Sequence, residues 1–154
     1  MKKILLIVAI FALNTVNAQW KTSFYVDDFG EPTKDSYEYF STLGTFSNSA
    51  TQNSKAKYTF IRSGETITIN VYEYERSLAT SIEGTFETVK LRKPNKEVVL
   101  VKKAFFTKSG KLYFGKKSYT ELNEAIQTSG DYIMIFDKTG NYSNSNYKIK
   151  FTIE

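Results

Sequence analysis

The sequence predicts an all-β fold, a mainly antiparallel sandwich or barrel of seven to nine strands, with one short helix near residues 119–128. Three observations predict it. Apolar and polar residues alternate with period two through most of the chain, and β-branched and aromatic residues carry that alternation. Turn-forming groups recur about every ten residues, the spacing of short strands in sandwiches and barrels. Only Pro32 and Pro94 interrupt the supply of backbone amides that ladders need.

Each element follows from local pattern. Trp20, Thr22, Phe24 and Val26 share one parity and predict an opening strand, and residues 44–48 read as extended with Phe46 inward. In 55–62, Ala56, Tyr58 and Phe60 alternate with Lys55, Lys57 and Thr59. Ser63-Gly64-Glu65 then turns the chain into 66–74, where Ile67, Ile69 and Val71 share a side. So short a link requires antiparallel pairing. Residues 85–92 and 97–106 flank Lys93-Pro94-Asn95-Lys96, a turn whose proline presets φ at its second position. Residues 105–107 and 111–114 flank a second tight turn, Lys108-Ser109-Gly110.

Ser118-Tyr119-Thr120-Glu121 matches a capping box, in which hydroxyl and carboxylate satisfy each other's free amides. Leu122, Ala125 and Ile126 follow on one helical face, and Gly130 suits the position just past a helix end. Residues 132–137 and 147–154 close the chain as strands. In the last, Tyr147, Ile149, Phe151 and Ile153 face one way and Lys148, Lys150 and Thr152 the other, the mark of a half-buried strand. The longest irregular stretches expected are 27–35, 47–54, 75–84 and 138–146.

A leader is expected ahead of this domain. Lys2 and Lys3 precede a ten-residue apolar run, and a polar segment ends in Val16-Asn17-Ala18, close to the small-x-small pattern of signal peptidase. Residues 1–18 therefore read as a signal peptide cut before Gln19, and 19–154 as a single β-rich domain. Ten apolar residues fall well short of the ~20 that a bilayer-spanning helix needs. The expected destination is a periplasm or the medium. The 136 residues that remain are enough for one core without disulfide or metal staples. The chain has no cysteine and no histidine. Disulfides, thiolate chemistry, iron–sulfur clusters, cysteine lipidation, Ser-His-Asp triads and His-ligated zinc are thereby excluded. No cofactor is expected. Twenty-three aromatic residues in 19–154 suit a core of large rings.

Without histidine or cysteine, acid–base work would fall to Asp, Glu, Lys or Tyr. Asp27 and Asp28, with Glu31 and Asp35 nearby, form the densest acidic cluster, either a solvated turn or a ligand site. The same four carboxylates are a candidate Ca²⁺ site, since calcium takes six to eight oxygens in irregular loops, although their spacing is not that of an EF-hand. Between residues 90 and 117 lie ten cations, Lys90, Arg92, Lys93, Lys96, Lys102, Lys103, Lys108, Lys111, Lys116 and Lys117, against Glu97 alone. The block carries +9, while 19–89 carries −4 and 118–154 carries −2. Such asymmetry steers anionic partners; lysines also guard sheet edges. Two polar stretches, containing Asn48 and Ser49 and containing Asn141 and Tyr142, offer the amides, hydroxyls and ring of a sugar-binding surface, or of ordinary turns. No phosphate loop or nucleic-acid stacking motif occurs.

Residues 27–33 (DDFGEPT), 44–51 (GTFSNSAT) and Tyr72-Glu73-Tyr74 stand together with Ile126, Ser129-Gly130, Ile135-Phe136-Asp137 and 147–151. In these the chain resembles a loose group of small exported bacterial proteins of uncharacterised function, which carry D-[DE]-F-x-x-P-T and then G-x-F-S-N-S-A-T. The likeness implies an exported single domain and carries over no catalytic residue. If the two motifs meet in space, Asn48 and Ser49 hold a loop against the exit of the first strand.

The function expected is an exported, non-enzymatic binding module for a protein or glycan, with no nucleic-acid partner and no membrane span. The alternatives are a carboxylate-based glycan-active enzyme using Asp27, Asp28 or Glu31, and an inhibitor-like protein that lays the basic hairpins of 90–117 on an acidic partner.

Overall fold

A computed structural model describes residues 19–79, 84–138 and 144–154. Residues 1–18, with the signal peptide, and the candidate residues Asn141 and Tyr142 lie outside the described residues. In chain order the elements are β1 (Lys21–Val26), β2 (Pro32–Asn48), β3 (Thr51–Ser63), β4 (Thr66–Glu73), β5 (Ser77–Leu78), β6 (Thr85–Arg92), β7 (Val98–Phe106), β8 (Lys111–Phe114), α1 (Lys116–Ala125), β9 (Gly130–Lys138) and β10 (Ser145–Ile153).

Eight strands close a barrel. Around the ring run β2, β3, β4, β8, β7, β6, β9 and β10, with β10 pairing β2 again, and every pairing is antiparallel. A barrel, rather than a sandwich, is the all-β form the chain takes. Strands β1 and β5 lie outside the ring, β1 on β2 and β5 on β4. The ring closes because β2 is 17 residues long and divides one of its edges. Pro32 to Tyr39 pairs with β1, and Gly44 to Ser47 pairs with β10. Gly44 permits the closure: a Cβ there would collide with the Lys148 carbonyl of β10.

Alternation decides the interior. Tyr58 and Phe60 of β3, Ile67, Ile69 and Val71 of β4, and Tyr147, Ile149 and Phe151 of β10 are buried, as their parity predicts. Each such side chain contributes roughly 1.5–3 kcal/mol by leaving water. The rings stack on one another: Phe40 on Phe60 at 4.4 Å, Phe136 on Tyr147 at 4.9 Å and Tyr132 on Phe151 at 5.2 Å between centroids. Buried hydroxyls find acceptors, Tyr58 on the Thr45 carbonyl at 2.8 Å and Tyr147 on Glu73 Oε1 at 2.7 Å.

Several expectations are corrected. The helix spans Lys116–Ala125, three residues earlier than expected, and its N-cap is Gly115 without a side-chain cap. Ser118 is therefore inside the helix, buried, donating its hydroxyl to the Gly115 carbonyl at 3.0 Å, so no capping box forms. The cause is tethering: β8 ends at Phe114, and one residue is all the chain inserts before the helix begins. Gly130 opens β9 instead of ending the helix. Of the stretches expected to be irregular, residues 32–35 lie in β2, and all of 47–54 except 49–50 lies in β2 and β3. The opening strand forms, but being outside the ring it leaves Phe24 and Val26 exposed; only Trp20 packs on the core, edge-on to Phe40 at 4.7 Å. The two resemblance motifs do not meet, because they sit at opposite ends of β2, one running into its first two residues and one running out of its last five. Among the described residues no helix is long and apolar enough to cross a membrane.

Candidate functional site

Among the described residues an apolar concavity opens on the outer surface of the barrel. Phe86 of β6 stands opposite Phe105 of β7, which stands opposite Tyr113 of β8. Three aromatic rings thus line up across three strands on the solvent side, where cross-strand neighbours lie within ring-contact distance. Phe86 and Phe105 meet at 5.1 Å. Together with Lys103, Gly115, Lys117 and Ser118 they line an open cleft of about 370 Å³. Phe86 is 73% exposed and Tyr113 40%. These rings contribute little to the core, whose inward positions on the same strands are filled by Val89, Leu91, Val101, Ala104, Phe106 and Leu112.

Local irregularities place the lysines. Glu87 pairs with Ala104 and Val89 with Val101, so β7 carries one extra residue, and Lys103 there takes a left-handed φ of 61°. The bulge turns Lys102 and Lys103 both to solvent and re-aims Lys103 along the cleft. The Lys102 amide bonds Glu121 Oε2 of α1 at 3.4 Å. Lys117 enters the rim because α1 starts directly after Gly115, where the absent side chain leaves the floor open. A cation in the first helical turn is disfavoured by the peptide dipoles, by a few tenths of a kcal/mol. Among the described residues neither Lys103 nor Lys117 has a carboxylate within ion-pair distance. The site is a floor of rings flanked by two lysines that have no ion-pair partner among the described residues.

The remaining candidates are dispersed. In the basic block, Lys93 is paired with Glu97 at 3.0 Å, and this pair, with Asn95, holds the Glu97 carboxyl below its ordinary range. Lys116 approaches Glu65 at 3.8 Å. Lys90 and Arg92 point outward from β6, Lys96 sits in the β6–β7 turn at a φ of 69°, and Lys108 and Lys111 flank the β7–β8 turn. Asp27 Oδ1 accepts the amides of Phe29 and Glu31, both at 2.9 Å, which ties it to its own turn. Asp28, Glu31 and Asp35 are exposed. Among the described residues no three acidic side chains gather as a metal site requires. Asn48 Oδ1 accepts the amides of Ala50 and Thr51 at 2.9 and 3.1 Å, shaping the β2–β3 turn, while Ser49 is exposed at its tip.

A second concavity, polar and of about 380 Å³, is lined by Thr22, Tyr37, Glu38, Arg62, Ser63 and Tyr119 among others. Its cation is already engaged. Arg62 forks onto Glu38 Oε2 at 2.7 and 2.6 Å, bonds Asn123 at 3.3 Å and covers the Trp20 ring at 4.5 Å. It ties β2, β3, α1 and Trp20, the residue before β1, together.

Sequence reasoning missed Phe86, Phe105 and Tyr113. Their signal was parity: each is apolar on the face opposite the buried positions of its strand. No protein-family model, curated protein or solved structure matches this chain.

Proposed function

We propose that this chain is an exported, non-enzymatic binding module that holds a protein partner at the Phe86–Phe105–Tyr113 cleft. The observation that carries the reading is the pairing of exposed rings with Lys103 and Lys117, which lack counter-ions among the described residues. Apolar surface outside the core is a mark of recognition, and a ring floor flanked by lysines accepts an apolar side chain set beside a carboxylate. A glycan would require several amides and hydroxyls around the rings; the lining offers the Tyr113 phenol and Ser118, whose hydroxyl already donates to Gly115.

An anionic naphthalene sulfonate dye has the chemistry of such a partner. Titrated into the mature chain, it is expected to bind at one site, with affinity falling as salt screens the lysines. Phe86→Ser and Lys117→Glu should each weaken it at least about tenfold, equivalent to ~1.4 kcal/mol. Equal binding by both variants would reject the cleft. Export is tested by the mass of the chain recovered from the periplasm or medium, expected to begin at Gln19.

A further inference from the structure

The partner's chemistry is present on the chain itself. Strand β2 pairs with β3 only from Glu38 onward and with β10 only from Gly44, so residues 32–37 pair with β1 alone. The β1–β2 hairpin is therefore a two-stranded arm outside the ring, tied back to it by the Tyr25 hydroxyl on Ser63 Oγ at 3.1 Å, and its tip extends beyond that tie. At its tip Phe29 is 91% exposed, the most exposed large apolar side chain of the described residues, and Asp27 fixes the turn that presents it. Asp28 and Glu31 flank that ring, and residues 24–36 carry a net charge of −3. The cleft reverses every term: concave, floored by rings, rimmed by lysines, inside a block of +9.

Resting on the cleft reading above, we infer that the partner is a second copy of this chain, whose acidic arm inserts Phe29 between Lys103 and Lys117 onto the Phe86, Phe105 and Tyr113 rings. Two different surfaces make this contact, and where a pair does not exchange arms reciprocally it is heterologous. Such a dimer keeps one free arm and one free cleft, and association continues past it into a string or a ring. The acidic and basic patches bring the molecules together, with a rate that falls as salt rises.

Sedimentation velocity on the mature chain tests this. The wild type should grow past dimers with concentration at low salt and dissociate at high salt. Phe29→Ser and Phe86→Ser, both at exposed positions, should each be monomeric. Mixed in equal amounts, they should form a one-to-one dimer and nothing larger, since one supplies the only intact cleft and the other the only intact arm. Phe29→Ser should still bind the naphthalene sulfonate. Wild type that stays monomeric while binding the dye overturns self-docking and leaves the cleft reading standing. Variants that still dimerise separately overturn a heterologous contact, and loss of both dye binding and assembly in the wild type overturns both readings.

Discussion

Alkali should unfold this barrel through two tyrosines. Tyr58 and Tyr147 are fully buried, and burial pushes both phenols well above their ordinary value of 10. The nearby Glu73 acts in the same direction, through its charge on Tyr58 and through charge and a hydrogen bond on Tyr147. The sign follows directly. In the unfolded chain each phenol loses its proton near pH 10, whereas in the barrel it keeps it. Their contribution is therefore complete below about pH 10 and is lost as the pH rises above it. Each phenol removes about 1.4 kcal/mol of stability per pH unit in that range, and the pair close to 3. A domain with ~5–6 kcal/mol in hand would unfold roughly two pH units above 10. Tyrosinate absorbance and far-ultraviolet circular dichroism, followed along one alkaline titration, read both events. The ionisation of Tyr58 and Tyr147 should coincide with the loss of dichroism. Tyr147→Phe should halve the steepness of that loss. Ionisation of every tyrosine on one curve with the barrel intact would refute the reasoning, as would a Tyr147→Phe slope equal to that of the wild type.

Two further perturbations follow from the turns. Gly110 has a φ of +75°, and a Cβ there would collide with the Ala79 backbone, so Gly110→Ala should cost at least about 2 kcal/mol, read as a lower urea midpoint at unchanged slope. Asn48→Ala removes the acceptor for two turn amides and should cost about 1 kcal/mol, while Ser49→Ala at the same turn should lie within about 0.5 of wild type in thermal melts.

Hairpins were legible where parity and turn chemistry agreed. Ile67, Ile69 and Val71 alternate without interruption, and Pro94 and Gly110 fix their turns, so β3–β4, β6–β7 and β7–β8 formed as read. The first half of β2 was not legible, because Asp35 and Ser36 face water and the strand there pairs with β1 outside the ring. Closure into a barrel depends on which distant strand takes the second half of the β2 edge, a choice made by Gly44 and the Lys148 backbone and invisible to local pattern. The capping box failed because a short tether outweighs a cap worth about 1 kcal/mol. At the site, lysine content was legible and geometry was not. The bulge at Lys103 has a trace in sequence, however: buried Val101 and Ala104 are three apart in a strand whose period is two.

The stacked interior has a consequence for what kind of object this is. Many eight-stranded barrels are cups, with a lumen that receives a small guest. Here Tyr58, Phe60, Phe106, Phe136 and Tyr147 occupy that volume with their own rings. Among the described residues the middle is a solid stack of rings and not a lumen, so substitutions on the outer wall can change its chemistry without reopening the middle.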